Sequence, residues 1–315
     1  MAYDELIPSK EKLYVVTSIF NPDGQEIRYK LYRDFKKYIN SFPNTILVTI
    51  ELAFGDSPFA VTDSSDPYNI QLRTDTILFY KENLLNIAFK TLPKDAKVAW
   101  IDADIEFKNV NWVNDTIKAL DTYKFVQLLD GCESLGPDNE IIIYDRGFVY
   151  NWIHKPDTPK KRGRSGLAWA SAIKTLESVG WLIDWDIVGA SDWFLVFGLT
   201  NQKLMADTPC KKKNEKWSEL VKQYVNANVG YIEGTVVHFF HGWPSDRGYV
   251  TRGKILIDNH FDPDVDVGYR EGGLMYFSTE KPKLQQGIIE YFKSTKVHGP
   301  GETPKTTLSS EKKKV

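Results

Sequence analysis

The chain has 315 residues, of which 42% are hydrophobic and 13% aromatic, and this apolar content is enough for one large core or two smaller ones. Its 40 Lys and Arg residues nearly balance its 42 Asp and Glu residues, and a net charge of -2 provides no overall field that attracts nucleic acid or a membrane surface. The first residues lack the basic and apolar pattern of a signal peptide, and no apolar run reaches the roughly 18 residues of a membrane span, so we expect a soluble, cytoplasmic protein.

Strands and helices are predicted to alternate along the first third of the chain. Strands are predicted at residues 13–20, 45–52 and 97–101, because each is a continuous apolar and β-branched run. Helices are predicted at residues 29–39, where aromatic residues recur every three or four positions, and at residues 71–90. This alternation predicts an α/β fold with a central, mainly parallel sheet flanked by helices.

Beyond Asp104 the alternation becomes less regular. Strands are predicted at residues 124–129 and 140–144, and a helix at residues 168–179, so the sheet is expected to be mixed. The polar, basic segment 155–164 is interrupted by Pro and Gly, which predicts a mobile loop within the domain.

No composition shift marks a boundary between two domains. We therefore expect a single domain over residues 1–295. Residues 296–315 are rich in Lys, Ser, Thr, Pro and Gly and lack aromatic residues, which predicts a disordered basic tail.

Two carboxylates follow the third predicted strand, where the ligands of open α/β sheets bind. Asp102 and Asp104 are separated by one residue, and in an extended chain this spacing turns both side chains the same way. Carboxylate oxygens suit Mg²⁺ or Mn²⁺, with the diphosphate of a substrate completing the coordination shell. An acidic turn at the end of a strand explains the pattern equally well.

Two later segments offer side chains for a substrate. In Gly166–Ala170 small residues surround Trp169, whose indole offers a flat face to a sugar ring, although a buried core Trp is the alternative. In Gly189–Phe194 the carboxylate of Asp192 is a candidate general base. The alternative there is a helix start, capped by Ser191 and with Asp192 in its first turn.

An apolar run ends with His238 and His241, and a basic loop follows them. Neither a Cys nor a third His lies nearby in sequence to complete a tetrahedral zinc site. In the loop, Arg247 and Arg252 carry guanidinium groups that can hold a diphosphate, although a solvated basic loop is the alternative.

The order of these motifs over residues 13–252 resembles that of the GT-A glycosyltransferases, including those of large DNA viruses and phages such as chlorovirus rhamnosyltransferases. The resemblance implies a GT-A fold and a nucleoside-diphosphate sugar as donor, with a UDP-sugar as first expectation. The implied acceptor is a hydroxyl of a glycan, a protein or a modified nucleobase. It also implies an enzyme of the host cytoplasm, in keeping with a virus- or phage-encoded protein.

The same resemblance implies a bound Mn²⁺ or Mg²⁺ that bridges the two phosphates of the donor. Asp104 would be its carboxylate ligand, and Asp102 would contact the ribose. A late His joins this acid on the metal in GT-A enzymes. Because it ends the strand, His241 is the first candidate for that ligand, and His238 is the second.

Further donor contacts are implied at the ends of the first strands and on the helix before the acidic motif. Lys81 falls on the apolar face of the helix predicted at residues 71–90, so its ammonium group must either reach water or meet an anion. Ordinary capping is the alternative for the residues at the strand ends. The donor contacts implied in addition to Asp102 are Thr17, Ser18, Glu51, Arg73, Lys81, Arg247 and Arg252.

In many inverting GT-A enzymes the segment that resembles Gly189–Phe194 supplies the general base, so Asp192 implies inversion. Ser191 stands where the family usually has a second acid, which leaves a retaining mechanism open. Asp186 is the substitute base and, with Trp169, lies on the acceptor side of the expected site. A phosphohydrolase of the haloacid dehalogenase type and a non-catalytic module that binds carbohydrate or nucleotide are the competing hypotheses.

Overall fold

The structure, a computed structural model, describes residues 12–155, 163–203, 208–243, 248 and 251–295. Within them the strands, numbered β1 to β13 in chain order, are Leu13–Phe20, Thr45–Phe54, Asn69–Thr74, Lys97–Ile101, Ile105–Phe107, Phe125–Gln127, Gly131–Leu135, Ile141–Arg146, Ala168–Ala172, Val229–Tyr231, Thr235–His238, Val267–Tyr269 and Met275–Phe277. The helices, α1 to α9, are Glu26–Asn40, Lys81–Phe89, Trp112–Ala119, Phe148–His154, Ile173–Ser178, Ser191–Leu199, Lys211–Tyr224, Arg252–Asp258 and Pro282–Ser294.

The largest sheet contains seven described strands in the order β10-β6-β9-β4-β1-β2-β3. Strand β9 is antiparallel to its neighbours β4 and β6, whereas every other adjacent pair is parallel. The predicted mixed, mainly parallel sheet is therefore confirmed. Because β1 has β2 on one side and β4 on the other, the strand order reverses beside β1, and open α/β sheets bind ligands at such a point.

Side chains of β1 alternate between two hydrophobic clusters, one on each face of this sheet. Tyr14 and Val16 belong to a cluster that includes residues of α2 and α5 to α9. Leu13 and Val15 belong to a second cluster, which includes residues of α1 and α3. Helices therefore cover both faces of the sheet, which is why β1 is apolar without interruption.

A second sheet has four described strands in the order β5-β11-β7-β8. Strand β11 pairs antiparallel with β5 and parallel with β7. The turn of Asp102, Ala103 and Asp104 connects β4 of the large sheet to β5 of this small one. The acidic motif therefore lies at one of the junctions between the two sheets.

The prediction of a single helix over residues 71–90 is wrong in its first part. Residues 69–74 form strand β3, which pairs with β2 at the edge of the large sheet, and α2 covers only Lys81–Phe89. Ile70 and Leu72 alternate with more polar neighbours at the two-residue period of a strand. No Gly or Pro lies between strand β3 and helix α2 to mark in the sequence where one ends and the other begins.

The prediction of a helix over residues 168–179 is also wrong in its first part. Residues 168–172 form strand β9, in which Trp169 lies opposite Trp100 of β4, and the helix α5 begins only at Ile173. Pairing with β4 and β6 on both sides therefore outweighs the helical propensity of the alanine residues.

Strands near residues 124–129 and 140–144 are confirmed as β6 and β8. Residues 156–162 of the basic loop and the predicted tail 296–315 lie outside the described residues. Among the residues that the structure describes, no helix combines the length and the apolar character that crossing a membrane requires.

The carboxylate of Glu51 in β2 holds the segment that follows the strand. Its oxygens accept hydrogen bonds from the backbone N–H groups of Ala60 at 2.7 Å and Thr62 at 2.9 Å, and from the hydroxyl of Thr62 at 2.5 Å. The N–H group of Val61 donates to the same carboxylate at 3.2 Å. Glu51 is 3% exposed, so these donors replace its water.

We expect Glu51→Ala to lower the free energy of unfolding by about 3 kcal/mol, because four partly buried hydrogen bonds to a charged acceptor would be lost. Urea denaturation measures this change, and Glu177→Ala, which removes an exposed glutamate, is the matched control. Normal stability of Glu51→Ala together with weaker binding of a nucleotide sugar would contradict this structural role.

Candidate active site

A cleft of about 270 Å³ lies at the carboxyl ends of β1 and β4, where the strand order reverses. The turn after β4, the first residues of α2, α6 and α8, and the end of α9 contribute to its walls. Its polar lining residues include Ser18, Asn21, Arg28, Lys81, Glu82, Asp102, Asp104, Asp192, His241, Arg252 and Tyr291.

Asp104, His238 and His241 form a cluster on one side of this cleft, with one ligand atom from each lying within 4.8 Å of the others. Nε2 of His241 is 2.8 Å from Oδ2 of Asp104, and Nε2 of His238 is 3.7 Å from the same oxygen. The two Nε2 atoms are 3.1 Å apart. Three potential ligand atoms therefore converge on one small volume.

The pairing of β5 with β11 produces this convergence. Ile105 lies opposite His238 in the antiparallel register, and the N–H of Phe239 donates to the carbonyl oxygen of Asp104 at 2.9 Å. The backbone therefore holds the residue before β5 beside the residues that end β11. His241 reaches the same point from beyond the strand and is buried.

Two imidazoles and a carboxylate are a suitable donor set for a divalent transition metal. Two ligand atoms at about 2.1 Å from one ion are separated by about 3.0 to 3.4 Å, and the three observed separations of 2.8, 3.1 and 3.7 Å lie around this range. Imidazole nitrogen is a common ligand of transition metals, whereas Mg²⁺ prefers oxygen. The cluster therefore fits Mn²⁺ better than Mg²⁺.

Lys81, the first residue of α2, forms an ion pair with Asp102 across the cleft wall. Burial alone would lower the pKa of Lys81, but the carboxylates of Asp102, Glu82 and Asp192 outweigh it and raise the pKa above its usual range. Burial raises the pKa of Asp102, and Lys81 opposes that rise. The ammonium group of Lys81 thus meets an anion, one of the two outcomes expected from sequence.

Asp192, in the first turn of α6, lines the cleft near these charges. The hydroxyl of Ser165 donates to its Oδ2 at 2.9 Å. A Cβ on Gly166 would lie 2.8 Å from that same oxygen, so the carboxylate occupies space that only glycine leaves open. Oγ of Ser191 has no hydrogen-bond partner among the described residues, so Ser191 does not cap α6, whereas Asp192 does lie in the first turn, as the alternative of a helix start expected.

The residue before α6 has a strained backbone. Ala190 has φ 138° and ψ 6°, a conformation that residues with a side chain rarely adopt, and it lines the cleft. Strain of this kind costs on the order of 1–3 kcal/mol and persists only where the surrounding structure enforces it. Here it sets the direction in which α6 begins and so the position of Asp192.

Arg252, the first residue of α8, lies on the far side of the cleft. Its guanidinium group donates to the hydroxyl of Tyr291 in α9 at 3.3 Å. Burial raises the pKa of Asp186 to about 7, and the attraction of Arg252 opposes this rise. Asp186 is 4% exposed and is not among the cleft-lining residues. It therefore attracts the guanidinium group of Arg252 from within the protein and not from the cleft.

In addition to Asp186, four residues expected to contact a substrate do not line the cleft. Thr17 is buried within β1, and Glu51 is occupied by the loop amides. Arg73 is exposed on β3, where it donates to the carbonyl oxygens of Gly55 and Ser57. The indole of Trp169 is buried, with its Nε1–H bonded to the carbonyl oxygen of Ser165, so it offers no open face for sugar stacking.

The remaining expected donor contacts, Ser18, Lys81, Asp102 and Arg252, all line the cleft. Arg247 lies outside the described residues.

Several cleft residues were not anticipated from the sequence, and three of them carry charge or a phenol group. Arg28 lies four residues before the buried Tyr32, on the same stripe of α1, and a cation on a buried stripe is a usable signal. Glu82 is a charged residue at the start of a buried helix, and burial raises its pKa to about 8. Tyr291 comes from α9, beyond the segment in which motifs were recognised, and no local pattern indicated it.

No protein-family model matches the sequence, and no curated protein is similar to it in sequence. Among solved structures the chain is similar to S. aureus TarS 1-349, with a TM-score of 0.41 and 11% identity over 90% of this chain and 71% of that one. It is also similar to 4-diphosphocytidyl-2C-methyl-D-erythritol synthase of Anaerococcus prevotii, with a TM-score of 0.33 and 12% identity over 72% of this chain and 90% of that one. The 2-C-methyl-D-erythritol 4-phosphate cytidylyltransferase of Francisella tularensis has the same TM-score of 0.33 at 10% identity, over 71% and 90% of the two chains.

We expect Gly166→Ala to lower turnover by at least about 10-fold, because the added Cβ displaces the carboxylate of Asp192, and small misplacements of a catalytic group are costly. Binding of Mn²⁺ with UDP should remain normal. Nucleoside diphosphate release and calorimetric titration measure the two effects.

The matched control is Gly253→Ala, since a Cβ there meets nothing within 4 Å. A melting temperature that falls by many degrees in Gly166→Ala would mean that the glycine serves folding and not the position of Asp192.

Proposed function

We propose that this protein is a metal-dependent glycosyltransferase of the GT-A type, which transfers a sugar from a nucleoside-diphosphate sugar to an acceptor hydroxyl. The observation that supports this most is the cluster of Asp104, His238 and His241, of which Asp104 and His241 line the same cleft as Asp192. A transferase of this kind needs a cation site for the diphosphate and a base for the acceptor, and side chains suited to each role lie at the edge of the sheet where α/β folds bind ligands.

The cation we propose is Mn²⁺, held by Asp104 and His241, with His238 as the more distant ligand. When bound, Mn²⁺ supplies positive charge that stabilises a departing diphosphate. The carbonyl oxygen of Asp104 and the register of β11 keep the ligands in place.

The donor, with a UDP-sugar as first candidate, is proposed to lie along the cleft from β1 to α8. Ser18, near the end of β1, faces the nucleoside. Asp102 accepts a hydrogen bond from a ribose hydroxyl, while Lys81 remains paired with Oδ1 of Asp102. Arg252 faces the diphosphate with a guanidinium group suited to phosphate oxygens.

The proposed reaction is a direct displacement that inverts the sugar carbon. The acceptor oxygen forms a bond to that carbon while the bond from the carbon to the phosphate oxygen breaks, and the carboxylate of Asp192 takes the acceptor proton. The hydroxyl of Ser165 holds Oδ2 of Asp192 and so orients the carboxylate. The nucleoside diphosphate leaves with the bonding electron pair.

We expect His241→Ala and Asp104→Asn each to abolish the Mn²⁺-dependent binding of UDP, because each variant removes one of the two main proposed ligands of the ion. His238→Ala should weaken binding less, since its Nε2 lies farther from Asp104. Thermal shift detects the difference, because a ligand at 100 times its dissociation constant stabilises a protein by about 2.7 kcal/mol.

His154→Ala, which removes an exposed histidine bonded to Tyr231, is the control for loss of an imidazole. Retained Mn²⁺-dependent UDP affinity in both His241→Ala and Asp104→Asn would place the cation outside this cluster.

We expect Asp192→Asn to lower turnover by about 10²-fold or more while the affinity for Mn²⁺ and UDP remains unchanged, because the amide keeps the shape but cannot take a proton. Release of nucleoside diphosphate from UDP-glucose, UDP-galactose, UDP-N-acetylglucosamine and GDP-mannose gives the turnover.

Asp121→Asn, at an exposed aspartate paired with Lys97, is the matched control. Turnover within a few-fold of wild type in Asp192→Asn would exclude Asp192 as the base and favour a retaining mechanism, since Asp186 does not line the cleft.

A further inference from the structure

A small pocket adjoins the cleft beside Asp192. It shares Lys81, Glu82 and Asp192 with the cleft, and apolar side chains such as Trp169 and Leu195 form much of its inner wall. Its volume is about 20 Å³, which is room for one group the size of a water molecule.

The hydroxyl of Ser191 belongs to the wall of this pocket and is 3% exposed. Its Oγ has no hydrogen-bond partner among the described residues. A buried hydroxyl without a partner is unfavourable, and native proteins rarely keep one without a use. The pocket therefore contains a polar group that a ligand can satisfy.

A second polar group stands at the mouth of the pocket. The carboxyl group of Glu82 lines both the pocket and the cleft and is 8% exposed. Because burial raises its pKa to about 8, it is mostly protonated at neutral pH and donates a hydrogen bond where an ionised carboxylate only accepts. The carboxyl group of Glu82, the hydroxyl of Ser191 and the apolar side chains that line the pocket with them suit a short carbon arm that ends in a hydroxyl group.

We propose that this pocket receives the hydroxymethyl arm of the donor hexose, with Oγ of Ser191 as the hydrogen-bond partner of its hydroxyl. This inference rests on the proposed function and names the substrate class, a nucleoside-diphosphate hexose. The apolar wall contacts the methylene carbon, and the pocket holds only the terminal oxygen, so the sugar ring stays in the cleft near Asp192.

A methyl group would enter the same space but would leave Ser191 unsatisfied. Sites built around a hydroxyl of the substrate discriminate strongly against an analogue that lacks it. Ser191 is therefore a specificity-determining residue that separates hexoses from their 6-deoxy and pentose counterparts.

The test compares matched donors that differ only at this arm. UDP-xylose is UDP-glucose without the hydroxymethyl group, and GDP-rhamnose of the D series is GDP-mannose without the hydroxyl of that group. Calorimetric titration with Mn²⁺ gives the affinity of the full-length protein for each donor and for UDP and GDP alone. The variants are Ser191→Ala and, as a control at a buried serine bonded outside the cleft, Ser171→Ala.

For one of the two pairs, we expect wild type and Ser171→Ala to bind the hexose donor more tightly than its counterpart by on the order of 10-fold, which is the effect of one hydrogen bond on affinity. Ser191→Ala should reduce this preference to about 3-fold or less, with unchanged affinity for the free nucleotide. Its melting temperature without ligand should not fall, because the lost hydroxyl has no partner in the described structure.

An unchanged hexose preference in Ser191→Ala, or no such preference in wild type, would overturn the inference and mean that the pocket holds a trapped water only. Both outcomes leave Mn²⁺-dependent binding of UDP or GDP intact. Absence of that nucleotide binding in wild type would instead overturn the proposed function, and this inference with it.

Discussion

The antiparallel pairing of β5 with β11 is the contact on which the candidate site depends. β5 continues directly from the acidic turn that ends β4, whereas β11 lies more than a hundred residues later in the chain. Placing Ile105 opposite His238 brings both imidazoles to Asp104, and a register shift of one residue would turn His238 to the other face of the small sheet. The cation site is therefore a property of the junction between two sheets, and no single segment of the chain contains it.

The charges around the cleft explain why a donor and a cation are expected to bind together. Asp102, Asp104 and Asp192 face a common space, and Lys81 and Arg252 provide the nearby positive charge. Arg28 also lines the cleft, so three cations balance three carboxylates, and a diphosphate entering alone would meet no excess of positive charge. A divalent ion held at Asp104 would supply that excess of positive charge, which is why the proposed donor is expected to bind together with the cation.

The central sheet could be predicted from sequence because its first strands are continuous apolar runs separated by helical periods. Asp104 and His241 could be placed near one another because both follow apolar strands and the resemblance to GT-A enzymes orders them. Glu51 and Trp169 were predicted at the site but do not line the cleft, because their positions depend on other segments of the chain. Glu51 accepts hydrogen bonds from a loop that follows its strand, and Trp169 is buried in a strand that pairs with β4. Tyr291 reaches the cleft from a helix with an ordinary amphipathic pattern, and that pattern carries no information about which cavity the helix borders.

The packing of α9 against the end of β1 means that the cleft is closed by the two extremes of the described chain. Phe292 contacts Phe20 edge to face at 6.4 Å between ring centroids, and Thr295 lines the cleft. During synthesis the metal-binding cluster can form while this wall is still missing, since contacts between distant segments form only after both have left the ribosome. The cleft can thus be completed only after α9 has been synthesised, and any peptide fused after Thr295 begins at the rim of the candidate active site.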